Sequence, residues 1–157
     1  MPFRVITPCR LVAVCVAATF CLTGSLSQAQ LPQTRLLAVF PQGAQSGQSV
    51  EVTVANGTDL DELDRMTFSH PGIKAEHKTG STFTVTVAAN VPVGTYEARV
   101  HGLYGTSNPR CFVVGALPEV LEIDANNTQE TAQAVEVGTV INGRSNRGAD
   151  VDFYKVT

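Results

Sequence analysis

The side chains best suited to chemistry in this chain of 157 residues are oxygen donors near its C-terminal end. Glu122, Asp124, Asn126 and Asn127 fall close together, and Asp150 and Asp152 follow some twenty-five residues later. Calcium is a hard cation that takes six to eight oxygens at about 2.3 to 2.6 Å, so a donor set of this type points to that ion. In an extended strand Glu122, Asp124 and Asn126 share a face, but at about 3.3 Å per residue the outer two stand roughly 13 Å apart. The segment must curl for all three to reach one ion. The plainer reading is a solvated acidic linker with an Asx turn at Asn126-Asn127.

Other reactive residue types are weaker candidates. Asp59, Asp61, Glu62 and Asp64 form a second acidic group. It lacks the glycine at the sixth position and the glutamate at the twelfth that a calcium-binding helix-loop-helix requires. Thr58 or Asp59 capping a short turn accounts for it. His70, His77 and His101 are the three histidines, and their separation does not match the paired spacing of a zinc site, so they are read as surface residues. No serine lies in a nucleophile elbow, no glycine pattern matches a phosphate loop, and no two carboxylates stand out as an acid and base pair. The expectation is a module without catalytic or cofactor-binding residues.

These groups must be positioned by elements that lie outside the cell. Residues 1–29 read as a cleavable signal peptide: basic Arg4 and Arg10, an apolar run from Leu11 to Leu22, and small residues at Ser27 and Ala29. The apolar run spans only about 18 Å at 1.5 Å per residue, against a hydrocarbon core of roughly 30 Å, so it is too short for an anchor. Phe20 before Cys21 argues against lipidation. Cutting after Ala29 removes Cys9, Cys15 and Cys21 and leaves Cys111 alone, so the fold must rest on a hydrophobic core without an internal disulfide. Cys111 itself reads as a small apolar residue of a strand, with a nucleophile or an intermolecular bridge as the alternative. The remaining residues keep nine basic and fourteen acidic side chains, a net of −5, which argues against nucleic acid and anionic membrane surfaces.

From Thr34 to Val114 apolar residues alternate in short runs separated by glycine, proline and asparagine. The clearest runs place Val50, Val52 and Val54, then Phe83, Val85 and Val87, then Tyr96, Ala98 and Val100 on one face. Weaker strands cover Arg35 to Phe40, Arg65 to Ser69, Ile73 to Glu76 and Arg110 to Val114, which makes seven. Seven short strands with a turn every eight to twelve residues predict an all-β fold, an immunoglobulin-like β-sandwich over 30–115. Val39-Phe40-Pro41-Gln42-Gly43, Gly47, the strand Val50 to Val54 and Pro92-Val93-Gly94-Thr95-Tyr96 resemble an IPT/TIG domain, as does the closing Ser107 to Val114. The resemblance implies a spacer or binding module, extracellular in an exported chain.

After Gly115 the composition shifts. Residues 116–128 read as a linker, and 129–157 as the start of a second, incomplete β-domain with strands at Val137 to Asn142 and Asp152 to Thr157 around a polar turn from Gly143 to Gly148. Two strands forming a lone hairpin cannot bury a core, so the expectation is the N-terminal part of a longer protein. Glu122, Asn126, the Asn142-Gly143 strand end and Asp152 before Phe153-Tyr154 resemble the opening of a bacterial pre-peptidase C-terminal domain. Asp124, Ala125 and Asn127 depart from that pattern. The resemblance implies calcium at Glu122, Asp124, Asn126, Asn127 and Asp152. Because both resemblances are bacterial, the glycosylation triplets at Asn56 and Asn126 carry no weight.

The resulting expectation is a secreted, periplasmic or cell-surface binding or spacer module of a larger protein. Its partner would be an extracellular protein or polysaccharide, met by the sheet faces and the Gly102 to Asn108 loop. The alternative is an accessory region of a secreted peptidase or other hydrolase.

Overall fold

Strict alternation builds the first sheet. The structure, a computed structural model, describes residues 31–145, 148 and 150–157, so the signal peptide expected at 1–29 lies outside the described residues. Four antiparallel strands line up in the order β1 (Arg35–Phe40), β3 (Ser49–Thr58), β6 (Thr82–Val87) and β5 (Ile73–Thr79). Val52 faces Phe83 and Val50 faces Val85 across the β3–β6 ladder, so one face carries the apolar side chains and the other carries Ser49, Glu51, Thr84 and Thr86. β3 runs on to Thr58, past the apolar run that ends at Val54. It can do so because Gly57 lets β1 approach: a Cβ there would lie 2.3 Å from the Arg35 carbonyl oxygen.

The second sheet orders β2 (Gly43–Gln45), β9 (Arg110–Gly115), β7 (Gly94–Gly102) and β4 (Arg65–Phe68), with β8 (Gly105–Thr106) hairpinned onto β7. The chain crosses between sheets after β1, where the Phe40–Pro41 peptide is cis, and β2 then runs parallel to β9. β2 and β8, too short to show a period, were not visible in the alternation. They raise the expected seven strands to nine.

Between the sheets lies one core. Leu36, Val52, Phe83 and Val85 from the first sheet meet Ala98, Val100, Phe112 and Val114 from the second, and all are fully buried. Burying a Val, Leu or Phe side chain is worth about 1.5–3 kcal/mol, so this cluster supplies the main driving force. Phe68 and Phe112 add an edge-to-face contact at 5.0 Å. Asn108 ties the sheets together at one end: its Oδ1 accepts from the Leu36 N–H at 2.9 Å and its Nδ2 donates to the Leu36 carbonyl at 2.9 Å. The expected all-β sandwich is the observed fold class.

The segment after Gly115 differs from the expected hairpin. Its four short strands pair in parallel, β10 (Glu119–Leu121) with β12 (Val140–Asn142) and β11 (Gln133–Val135) with β13 (Tyr154–Val156). Parallel neighbours need a crossover of a dozen or more residues, and the stretches 122–139 and 136–153 supply it. β10 also places a strand inside the expected linker 116–128. Val135 is the one buried large apolar residue of this segment among the described residues, whereas Leu121, Ile123, Val137, Val140, Val151, Phe153 and Val156 are exposed.

Residues Pro32–Thr157 nevertheless form one compact unit. Gln45 Nε2 donates to the Ala116 carbonyl at 3.0 Å, and the Arg144 guanidinium lies 4.3 Å above the Phe40 ring. The sandwich and the segment that follows it are therefore joined by direct contacts rather than by a slack tether.

Candidate functional site

The acidic candidates fold into a curl. The end of β10 delivers Glu122, a turn over 123–127 follows, and the Asn126 N–H donates back to the Ile123 carbonyl at 3.1 Å. Asn127 Nδ2 donates to the Asp124 carbonyl at 2.7 Å, closing the same turn. The turn is closed by the Asn127 side chain donating to a carbonyl behind it, rather than by the Asx turn expected at Asn126-Asn127, in which the side-chain oxygen accepts from a backbone N–H ahead. The Asn126 carbonyl then accepts from the Phe153 N–H at 2.8 Å, which carries Asp152 back across the chain to Glu122.

At the centre stands Asn126, 1% exposed. With its amide oriented to suit its neighbours, the nitrogen donates to Asp152 Oδ1 at 3.1 Å and to the Ile123 carbonyl at 2.9 Å. Glu122 Oε2 accepts from the Arg144 N–H at 2.6 Å. Gly143 makes room for that carboxylate, since a Cβ there would lie 2.9 Å from Glu122 Oε2 and 3.4 Å from the Tyr154 hydroxyl. Burial raises the pKa of Asp152, and a hydrogen bond to Glu122 together with the charges of Glu122, Asp150 and Asp124 raises it further. Burial and then the Glu122 charge also raise Tyr154, opposed by a hydrogen bond from Asn126.

Of the residues singled out from the sequence, Glu122, Asn126 and Asp152 come together. Asp124 and Asn127 shape the turn beside them, and Asp150 acts on Asp152 through its charge. Among the described residues no three acidic, histidine or cysteine side chains form a group that could hold a metal. The sequence reading missed Gln133, whose Oε1 accepts from the Ile123 N–H at 3.0 Å and whose Nε2 donates to the Leu121 carbonyl at 2.9 Å, bracing the curl. Only the pairing of β11 with β13 brings it there, and no local pattern announces that.

The remaining candidates are dispersed over the sandwich. His101 lies on the outer face of the second sheet, where Nε2 meets the Thr67 hydroxyl at 2.9 Å and Nδ1 meets the Thr106 hydroxyl at 2.9 Å. Burial and the nearby Arg65 charge lower its pKa, Asp64 opposes them, and Arg99 adds to the lowering. His70 Nδ1 accepts from the Gly72 N–H at 3.0 Å, and His77 Nε2 lies 2.9 Å from the Gly80 carbonyl, so both serve turns. Cys111 is on a strand as expected, but on its exposed face rather than in the core. At the junction a groove of about 240 Å³ is lined by Gln45, Gln48, Ser49, Glu119 and Asn142 among apolar residues. Asn142 Nδ2 holds Glu119 Oε2 at 2.8 Å.

No family model matches the chain, and no curated protein matches it. Among solved structures it is similar to the SGBP-B protein of the Bacteroides ovatus mixed-linkage glucan utilization locus, in complex with a mixed-linkage heptasaccharide. That match has 15% identity and a TM-score of 0.39, over 68% of this chain and 27% of the other. It is also similar to a nucleoside hydrolase-related hypothetical protein from Saccharophagus degradans that is associated with carbohydrate metabolism. There the identity is 18% and the TM-score 0.29, over 55% of this chain and 25% of the other. The chain spans about a quarter of each of these proteins, and likeness of this degree transfers no ligand or activity.

Proposed function

We propose that this chain is an exported, non-catalytic binding and spacer module of a larger extracellular or cell-surface protein. The observation that carries the reading is the junction. A sandwich with its own closed core continues into a second β-segment held against it by the Gln45 contact to Ala116 and by Arg144 stacked on Phe40. A spacer that sets the angle between neighbours needs such a joint, and loops at its free end are then available for a partner. Residual dipolar couplings test it: sandwich and segment 119–157 share one alignment tensor if the joint is stiff, and two independent tensors would refute the spacer.

Calcium belongs to the same reading. Glu122 and Asp152 meet as like charges, and a hard cation between them would replace a shared proton. It would hold the 123–127 turn to the segment that leads into β13, with Asn126 as the neutral neighbour. The expected outcome is a higher melting temperature in calcium than in chelator at neutral pH, lost in Asp152→Asn. Coincident melts would remove the metal.

A further inference from the structure

Resting on the binding-module reading and naming its partner, we propose that the tip of the β7–β8 hairpin, Leu103 and Tyr104, docks a basic segment of a partner protein. The carboxylates of the adjoining 59–64 loop supply the complementary charge. Gly102 pairs with Gly105 across the hairpin, so Leu103 and Tyr104 hold the two central turn positions. Neither has a positive φ, so the turn takes most residue types, and Gly105 (φ 95°) supplies the left-handed position that follows. Here a leucine and a tyrosine stand side by side, 56% and 40% exposed, and neither belongs to the core cluster. Contiguous apolar side chains on a loop are what a partner buries.

The tip is held still. The Leu103 N–H donates to the Asp61 carbonyl at 2.9 Å, and the Asp64 N–H donates to the His101 carbonyl at 3.1 Å. A Cβ at Gly102 would lie 2.5 Å from the Asp61 carbonyl oxygen, so the loop rests directly on the hairpin backbone. Behind the tip, Ser107 Oγ accepts from the Val100 N–H at 3.0 Å. A pre-formed tip loses little entropy on docking.

The loop beside it is acidic and strained. Asp59 (φ 51°) and Glu62 (φ 50°) adopt the left-handed region without being glycine. Such residues persist where the surroundings impose them. Asp61, Glu62 and Asp64 are exposed. The two ion pairs among the described residues, Glu51–Lys78 and Glu97–Arg99, leave these carboxylates out. A lysine or arginine is attracted both by them and by the face of Tyr104, while an aliphatic neighbour suits Leu103. Phosphate-rich or acidic ligands are repelled by the same charges.

The test titrates the full chain with a synthetic peptide of alternating lysine and leucine, followed by tyrosine fluorescence and by amide shifts. The double variant Leu103→Ser/Tyr104→Ser keeps the charge and should melt with the parent. It is expected to bind at least about tenfold more weakly, the ratio that 1.4 kcal/mol represents. In the parent, amides of 59–64 and 102–106 are expected to shift first, a readout that does not depend on the variant folding. Equal affinity of parent and variant, or first shifts elsewhere, would mean general attraction to an acidic protein and would overturn the proposal. Tip-dependent binding of a glutamate–leucine peptide or of an uncharged polysaccharide would overturn the basic partner while leaving a binding module in place.

Discussion

Removing everything after Gly115 should cost the sandwich less than removing one aromatic ring. Truncation at Gly115 deletes the Gln45–Ala116 hydrogen bond and the Arg144–Phe40 contact, while every residue of the core cluster remains. A net hydrogen bond is worth about 0.5–1.5 kcal/mol and an exposed cation–π contact about 0.5–1, so the loss is roughly 1–2.5 kcal/mol. Phe112 is fully buried and meets Phe68 edge to face, and Phe→Ala in a core costs about 3–5 kcal/mol. A domain of this size has a total stability of roughly 4–12 kcal/mol at about 0.05–0.15 per residue. The truncated chain should therefore unfold cooperatively, with a modest fall in midpoint, whereas Phe112→Ala in the longer chain should be near the edge of folding. Urea denaturation followed by circular dichroism ranks the two. If the 32–115 fragment proves less stable than Phe112→Ala, or shows no cooperative transition, the core is not self-sufficient and the argument from its burial fails.

Two further outcomes follow from single side chains. Burial and Arg65 lower the His101 pKa, so the folded state favours the neutral ring; its contribution is complete above the unfolded pKa and is lost as pH falls through the lower folded value. His101→Gln should flatten the acid side of the stability profile in that window, and an unchanged profile would show that His101 does not carry it. Cys111 faces solvent, so a maleimide should label it in the native state as fast as in urea. Protection until unfolding would place it inside the core instead.

The sandwich was legible because its strands are long enough to show a period. Val52-Thr53-Val54 and Phe83-Thr84-Val85 announce a face within a few residues, and the pairing of Val52 with Phe83 needs only that those faces meet. The strands β2 and β8, with three and two residues, have no period to read, and β2 exists only because β9 lies beside it. Cys111 shows the limit of residue type as a guide. Cysteine favours interiors, but Phe112 and Val114 claim the inward positions of β9, and alternation sends Cys111 outward whatever its preference.

The acidic curl was legible as a list of donors and illegible as a shape. Glu122, Asn126 and Asp152 are separated by thirty positions, and what joins them is the Phe153 N–H on the Asn126 carbonyl together with the β11–β13 ladder, both non-local. Expecting a hairpin there would have placed Asp152 opposite the β12 end. Parallel pairing with β11 brings it instead to the turn that Gln133 braces. Leu121 and Val140 on the β10–β12 ladder, and Ile123 and Phe153 just outside the two short ladders, remain exposed. Exposed apolar residues bury little surface, so the curl is held by polar bonds rather than by a core. Its geometry should respond to charge more than the sandwich does. That sets the order of sensitivity across the chain: on the calcium reading proposed above, chelation or Asp152→Asn should loosen amides of 122–127 and 152–154, with those of the Phe83 and Phe112 strands unmoved. Equal loosening of both would mean the junction transmits strain into the core.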